Sequence, residues 1–392
     1  MKRIKDCTFY YILWCLYNLQ GILYASGTAI SQGLLAILVV WSFYIIFSNW
    51  GRLARVPYFK ALGVLVAMYT IYGILSVVVH GAMVHNVPAT EYFKRSYISM
   101  LPIFVSYIYT VTGKLNFETM QKWMFVFFFI GLAFFYRSKF EALDITDGDE
   151  TTNNASYVIM SLIPGLLVFY KKPVYLYVGL AVCVVLVVLG MKRGAIIITA
   201  VALWMIINQL FRIMKGKYRS MLSIAVLVGI IMLANFVGNL LETSAYFNQR
   251  IQQTIDGDSS QRDIIYNSLW RVFTEQSNVF EQLFGHGAWG TRELAHAEAH
   301  QDWLQILIDN GLLGIVFFIN YWIKYFKETR NIYRHNLSRL GLKLFFLMYF
   351  AKTFFSMSIC SVTIFASTFI GFYLADGFAS EENDYENKSV GA

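Results

Sequence analysis

The stretch HAEAHQDWLQILIDNGLLG, His296 to Gly314, sets two histidines four residues apart around a glutamate, ahead of an apolar run broken by two glycines. Groups of that kind can hold a metal, move a proton, or decorate the end of a membrane helix. For zinc, His296 and His300 share a helix face, with His286 as a candidate third ligand. Glu298, however, is rotated about 200° from either histidine, whereas a zinc protease places its glutamate directly after the first one. The spacing therefore argues for no metal, and His296 reads as an ordinary loop histidine. For proton transfer, His300 opens the apolar run, and Leu304, Leu307, Gly311 and Gly314 follow at helical spacing, the glycines permitting close packing. An imidazole with a pKa near 6.5 at a wet membrane boundary can accept a proton from a hydroxyl. The alternative is a structural or capping histidine.

Several basic residues could hold an anion. Lys192 and Arg193, in GMKRGA, fall in a tight turn between two apolar runs, and snorkelling to lipid phosphates is the other reading. In SSQRDIIYNSLWRVF, Ser260 and Asp263 have capping-box spacing, which places Arg262 in the first turn of a short helix, where free N–H groups favour anions. A solvated loop arginine is the alternative. Lys352 interrupts FFLMYFAKTFFSM, and a charge inside a span is a functional candidate that should face the protein interior. Two other patterns carry less. GHGAWG, Gly285 to Gly290, matches G-x-G-x-x-G but lacks a strand context and reads as a turn. The triplets Asp147 to Asp149 and Asp256 to Asp258 read as solvated loop tips that could bind calcium.

The elements that must position these groups follow from composition. Of 392 residues, 57% are hydrophobic and 14% charged, against about 25% charged in soluble domains, so the chain is expected to be an all-α, polytopic membrane protein. Twelve apolar segments are candidate spans: Phe9–Leu23, Ile30–Phe47, Leu62–Val79, Ile98–Val111, Trp123–Tyr136, Tyr157–Tyr170, Val174–Met191, Ala195–Phe211, Met221–Leu241, Trp303–Tyr325, Leu342–Cys360 and Val362–Leu374. With the N-terminus inside, about 21 of the 32 Lys and Arg fall on the inner side. The net charge of +8 thus reads as topology rather than as a nucleic-acid footprint. One polytopic domain is expected over 1–379, with a long outer loop at 242–302 carrying short helices between the ninth and tenth spans, and a disordered cytoplasmic tail at 380–392. Cleavage of the first segment as a signal peptide is disfavoured by Asn18 and Gln20, and the four cysteines imply no disulfide framework.

On these residues the chain resembles the O-antigen ligase and O-antigen polymerase family of polytopic membrane glycan transferases. The features that match in order are the KRGA arginine, the outer-loop QRDIIYNSLW arginine followed by LFGHG, and AHQDWLQILIDNGLLG, within about Asn153 to Tyr325. Two departures bear on the subfamily: Arg193 follows Lys192 rather than a small hydroxyl residue, and Gln301 stands where Asn is frequent. The resemblance implies a GT-C-like fold in the bacterial inner membrane. It implies a metal- and cofactor-independent, inverting transfer at the periplasmic face, from an undecaprenyl diphosphate-linked glycan to an acceptor hydroxyl. The acceptor would be another glycan, for a polymerase, or lipid A-core, for a ligase; the modest outer loop leans toward the polymerase. Membrane lipids and a chain-length regulator are the implied partners. In that chemistry His300 is the candidate base, and Arg193, Arg262, Lys192 and Lys352 the candidate ligands of the donor diphosphate. A lipid-linked oligosaccharide flippase or transporter shares the span count and is the alternative of another class.

Overall fold

Each of the twelve apolar segments falls on helix for most of its length in the structure, a computed structural model that describes residues 6–24, 28–81, 83–84, 87–88, 90–145, 152–213, 216–255, 262–332, 337–361 and 363–390. Both Asp-Gly-Asp triplets and Ser260 lie outside the described residues. Among the described residues, six helical stretches are long and apolar enough to cross a membrane: Ala29–Ser48, Pro57–His80, Phe117–Glu141, Arg193–Arg212, Val226–Thr243 and Asp302–Asn331. Three shorter apolar stretches accompany them, Ser156–Phe169, Pro173–Leu189 and Ile364–Gly377. The chain is an all-α, multi-pass membrane protein.

In chain order the helices are α1 (Asp6–Leu23), α2 (Ala29–Ser48), α3 (Trp50–Leu53), α4 (Pro57–His80), α5 (Glu91–Val111), α6 (Phe117–Ile145), α7 (Ser156–Leu162), α8 (Pro173–Leu189), α9 (Arg193–Ile213), α10 (Lys217–Thr243), α11 (Ala245–Ile255), α12 (Arg262–Arg271), α13 (Val279–Phe284), α14 (Gly290–Ala295), α15 (Asp302–Asn331), α16 (Leu337–Lys352) and α17 (Ile364–Val390). A two-residue hairpin, β1 (Met83–Val84) and β2 (Val87–Pro88), precedes α5. Local chemistry sets several starts. Pro57 and Pro173 occupy first-turn positions, where no N–H is needed, and Asn278 with Glu281 forms a complete capping box on α13. The backbone of α17 runs as helix to Val390, and residues 391–392 lie outside the described residues.

The chain divides into two compact units, Met120–Asp258 and the remainder. The larger unit is organised on α5 and α17. A Cβ at Gly371 would meet the Ile103 carbonyl oxygen, and Ser367 Oγ donates to the Ser99 carbonyl at 2.5 Å, so the two backbones touch. Buried hydroxyls tie α1 to α5 and to α2: Tyr11 pairs with Ser106 at 2.7 Å and Tyr10 with Ser42 at 3.0 Å. Small residues and hydroxyls are the packing currency of helices in lipid, where apolar area between helices gains nothing over lipid contact. In the smaller unit, a Cβ at Gly131 would meet Leu162, and one at Gly179 would meet Leu166. No residue of the apolar stretch Val226–Thr243 of α10 is fully buried; Leu233, Phe236, Val237 and Leu240 pack on Val188, Met191 and Phe247, and much of the rest is exposed.

Two helices depart from the sequence expectation. The first departure is in α15, which breaks at Gly311 (φ 67°, ψ −166°) instead of running unbroken from Trp303 to Tyr325. The cause is a backbone crossing: a Cβ on Gly311 would lie 2.5 Å from the Gly285 nitrogen, and one on Gly285 (φ 78°) would lie 2.5 Å from the Asn310 nitrogen. Neither position tolerates a side chain, so Gly311 serves a loop crossing rather than helix-helix packing. The second is α16, which ends at Lys352 rather than Cys360. Beyond it the N–H groups of Ser358 and Ile359 bond to the Asp302 carboxylate instead of continuing a helix.

Candidate functional site

The segment that carries His300 is pinned on both sides. After α14 the chain turns through His296 in the left-handed conformation (φ 53°). Glu298 then accepts from Arg95 of α5 at 3.1 Å and from Arg292 of α14 at 2.5 Å. The buried Ala299 donates its N–H to Gln305 Oε1 at 3.0 Å and packs with Leu269, Leu304 and Ile308. On the far side Asp302, 1% exposed, starts α15; its N–H donates to the Thr353 carbonyl at 3.0 Å. Between these anchors His300 is exposed and has φ 55°. A non-glycine residue in that region costs on the order of 1–3 kcal/mol and persists only where its surroundings impose it. The result is an exposed imidazole on a rigid pedestal, the arrangement a positioned base needs.

Arg262 and Lys352 converge on the same turn. Arg262 is the first residue of α12, half-buried, and its guanidinium donates to the Phe355 carbonyl at 2.5 Å. It also bonds the Tyr266 hydroxyl one turn on; burial raises the pKa of that phenol and the arginine opposes the rise. Phe355 belongs to the turn that follows Lys352: the N–H groups of Phe355 and Ser356 both reach the Lys352 carbonyl, at 3.2 and 2.8 Å. The Lys352 side chain is buried, 4% exposed. Asp302 Oδ2 accepts from the N–H groups of Ser358 at 2.8 Å and Ile359 at 3.0 Å, and Trp303 Nε1 donates to Thr353 Oγ1 at 2.9 Å. Residues 353–359 are thus clasped by the start of α15 on one side and by Arg262 on the other.

Arg193 and Lys192 lie in the smaller unit. Arg193 is the first residue of α9, as Arg262 is of α12, and both side chains are half-buried. Their turn is held by Asn153, whose N–H donates to the Gly190 carbonyl at 2.8 Å and whose carboxamide donates to the Phe135 carbonyl at 3.0 Å. Gly190 is packed against Ser156 so tightly that no Cβ would fit.

The groups weighed as zinc ligands have other partners. His286 Nε2 pairs with Ser277 Oγ at 2.8 Å, Glu298 is taken by two arginines, and among the described residues no three His, Cys, Asp or Glu gather as a ligand set. GHGAWG forms turns, with Gly287 at φ 95° and the His286 and Gly287 N–H groups donated to the Ile308 and Asp309 carbonyls at 2.8 and 3.0 Å. Those bonds meet α15 at its break. The buried Asp309 accepts there from the Thr291 N–H at 3.0 Å and from Gln305 Nε2 at 2.6 Å.

Sequence reasoning missed Asp302, Asp309 and the Arg95, Arg292 and Glu298 cluster. Arg95 and Arg292 also lie over the buried Trp289 ring, at 4.9 and 5.2 Å from its centre. For Glu298, burial works to raise the carboxyl pKa, and the Arg292 and Arg95 contacts outweigh it, holding the group below its ordinary value. Asp302 was the most legible of these, since an acid two residues after His300 at the start of an apolar run needs a partner. No protein-family model matches the chain, and no curated protein does.

Proposed function

We propose that the chain is a bacterial inner-membrane glycosyltransferase that moves a glycan from a polyprenyl diphosphate donor to a sugar hydroxyl at the periplasmic face. The observation that carries this reading is one turn, residues 352–359, held by Arg262 through the Phe355 carbonyl and by the Asp302 N–H two residues after the exposed His300, with Lys352 at its head. In the reaction the acceptor oxygen attacks the anomeric carbon while its proton passes to the imidazole of His300. The C–O bond to the diphosphate breaks on the opposite side, which inverts the centre and leaves negative charge on the diphosphate. Arg262, at a helix start, supplies a two-pronged donor for that charge. Lys352, buried at the head of that turn, adds positive potential. The roles of Arg193 and Lys192 as further phosphate ligands rest on the sequence resemblance. Twelve spans, with both ends cytoplasmic and 242–302 periplasmic, complete the proposal.

Within this class we favour a repeat-unit polymerase over a ligase. Deleting the gene in its host and analysing lipid-linked and finished glycans tests the reading. A polymerase leaves lipid A-core or its equivalent carrying one repeat unit. A ligase leaves long chains on the prenyl carrier, and a flippase leaves single units facing the cytoplasm. Unchanged glycans in all three pools would end the proposal.

A further inference from the structure

A groove of about 490 Å³ opens next to Gln301, lined by Tyr266, Asn267 and Trp270 of α12, by Gln301 and Trp303 at the start of α15, and by four aliphatic side chains further along α15. Its size lies within the roughly 300–1,000 Å³ range of small-ligand sites. Tyr266 and Trp270 are one helical turn apart and so share a face, with Asn267 three residues before Trp270 beside them. The face they flank is well anchored: the neighbouring Leu269 is fully buried, and Ile265 and Phe273 pack on the same cluster against α15.

Three properties of the lining narrow the ligand. First, the Trp270 indole is 56% exposed, next to the buried Leu269 and with its ring centre 6.1 Å from that of Phe273. Second, the carboxamides of Asn267 and Gln301 make no hydrogen bond to the described residues, and Gln301 leaves α15 uncapped although it occupies the capping position. Elsewhere in this unit the amides of Gln282 and Gln305 are bonded. Third, no lining residue is charged, although Arg262 is bonded to Tyr266 at the groove's edge. A phosphate headgroup calls for cations, and an acyl chain has no use for two carboxamides. A neutral pyranose meets all three. Its C–H face lies on the electron-rich face of an indole, and each ring hydroxyl both donates and accepts, as a carboxamide does.

We propose that this groove is the subsite for the acceptor sugar, with Trp270 as the stacking platform and Asn267 and Gln301 as hydroxyl readers. Gln301 follows His300 directly, so the groove adjoins the residue that carries the proposed base. This assignment rests on the transferase reading for the identity of the ligand as an acceptor, but binding itself is measurable without transfer.

The test uses the full chain in phosphatidylcholine nanodiscs, free of sugar-based detergent, and saturation-transfer NMR with methyl glycosides of glucose, galactose, rhamnose and N-acetylglucosamine. Saturation transfer to at least one glycoside is expected, falling threefold or more in Trp270→Ala and in Asn267→Ala/Gln301→Ala. Trp204→Ala, which removes an exposed indole from α9, should leave it unchanged. No transfer to any glycoside, or equal signals in all variants, overturns the subsite. So does Trp270 fluorescence that responds to lipid composition and not to glycoside, the mark of an interfacial lipid contact. Binding that follows this pattern in a protein without transferase activity would defeat the proposed function and leave the subsite standing. In an active enzyme, unchanged acceptor KM in Trp270→Ala would do the reverse.

Discussion

Exchanging Asp302 and Lys352 for uncharged residues, singly and together, probes the clasp beneath His300. Asp302 is 1% exposed and Lys352 is 4% exposed, so neither group reaches bulk water and each needs partners inside the protein. Asp302→Asn keeps an oxygen for the Ser358 and Ile359 N–H groups but strands the ammonium. Lys352→Met leaves a buried carboxylate with those two N–H bonds alone. Removing one partner of a buried pair costs about 3–5 kcal/mol, while replacing both by neutral residues is often close to neutral. With the retained N–H bonds offsetting part of the loss, each single change should cost about 3 kcal/mol and the double change no more than either. The resulting coupling is about 3 kcal/mol, at the upper end of the range for residues that share one network. Unfolding in mixed micelles with rising SDS, followed by tryptophan fluorescence, measures all four proteins. If the two single effects add to within about 0.5 kcal/mol, the residues are independent and the clasp is misassigned.

Gly311→Ala and Gly285→Ala each place a Cβ 2.5 Å from backbone at positive φ, so both should lower the yield of folded protein in fluorescence-detected gel filtration far more than Gly229→Ala, which meets nothing within 4 Å. Normal yields from both would remove the crossing as a determinant of α15. Glu298 has its pKa held down by Arg292 and Arg95, so its contribution is complete above its ordinary carboxyl value of 4.5 and is lost as pH falls through the lower folded value. Glu298→Gln should therefore cost about 1–3 kcal/mol at neutral pH and little below that window; a constant difference across pH would exclude the ion pair as its source. A cysteine at the exposed Glu275 should react with an impermeant thiol reagent in cells whose outer membrane alone is opened. Labelling only after the inner membrane is broken would place the loop on the wrong side.

What the sequence made legible is what local pattern controls. Apolar run length located the helices, and Arg262 was placed at a helix start from the spacing around it. Composition also marked Lys352 as a charge among apolar residues. The break at Gly311 was not legible, because its cause is a backbone 26 residues away, at Gly285. The early end of α16 depends on Asp302, which withdraws two N–H groups from any continuing helix. Glu298 was judged only by its angle to two histidines; its partners come from α5 and α14, and Arg95 is 203 positions distant. Local spacing carries the elements, and long-range polar contacts decide where they stop and which charges meet.

The central claim is that His300 acts as a base, and its left-handed backbone allows a clean substitution. Asn tolerates that conformation, so His300→Asn removes the proton acceptor while retaining the local fold, and His296→Asn, at φ 53°, is its matched control. Transfer of glycan from polyprenyl diphosphate donor to acceptor is measured in proteoliposomes for both variants, with and without chelator, alongside donor binding. The account predicts that His300→Asn loses transfer by at least a hundredfold with donor binding intact, consistent with the 10²–10⁴ range for general bases. It predicts that His296→Asn retains it and that chelator has no effect. Equal loss in both variants, with chelator inactivating the wild-type chain and zinc restoring it, would contradict the account.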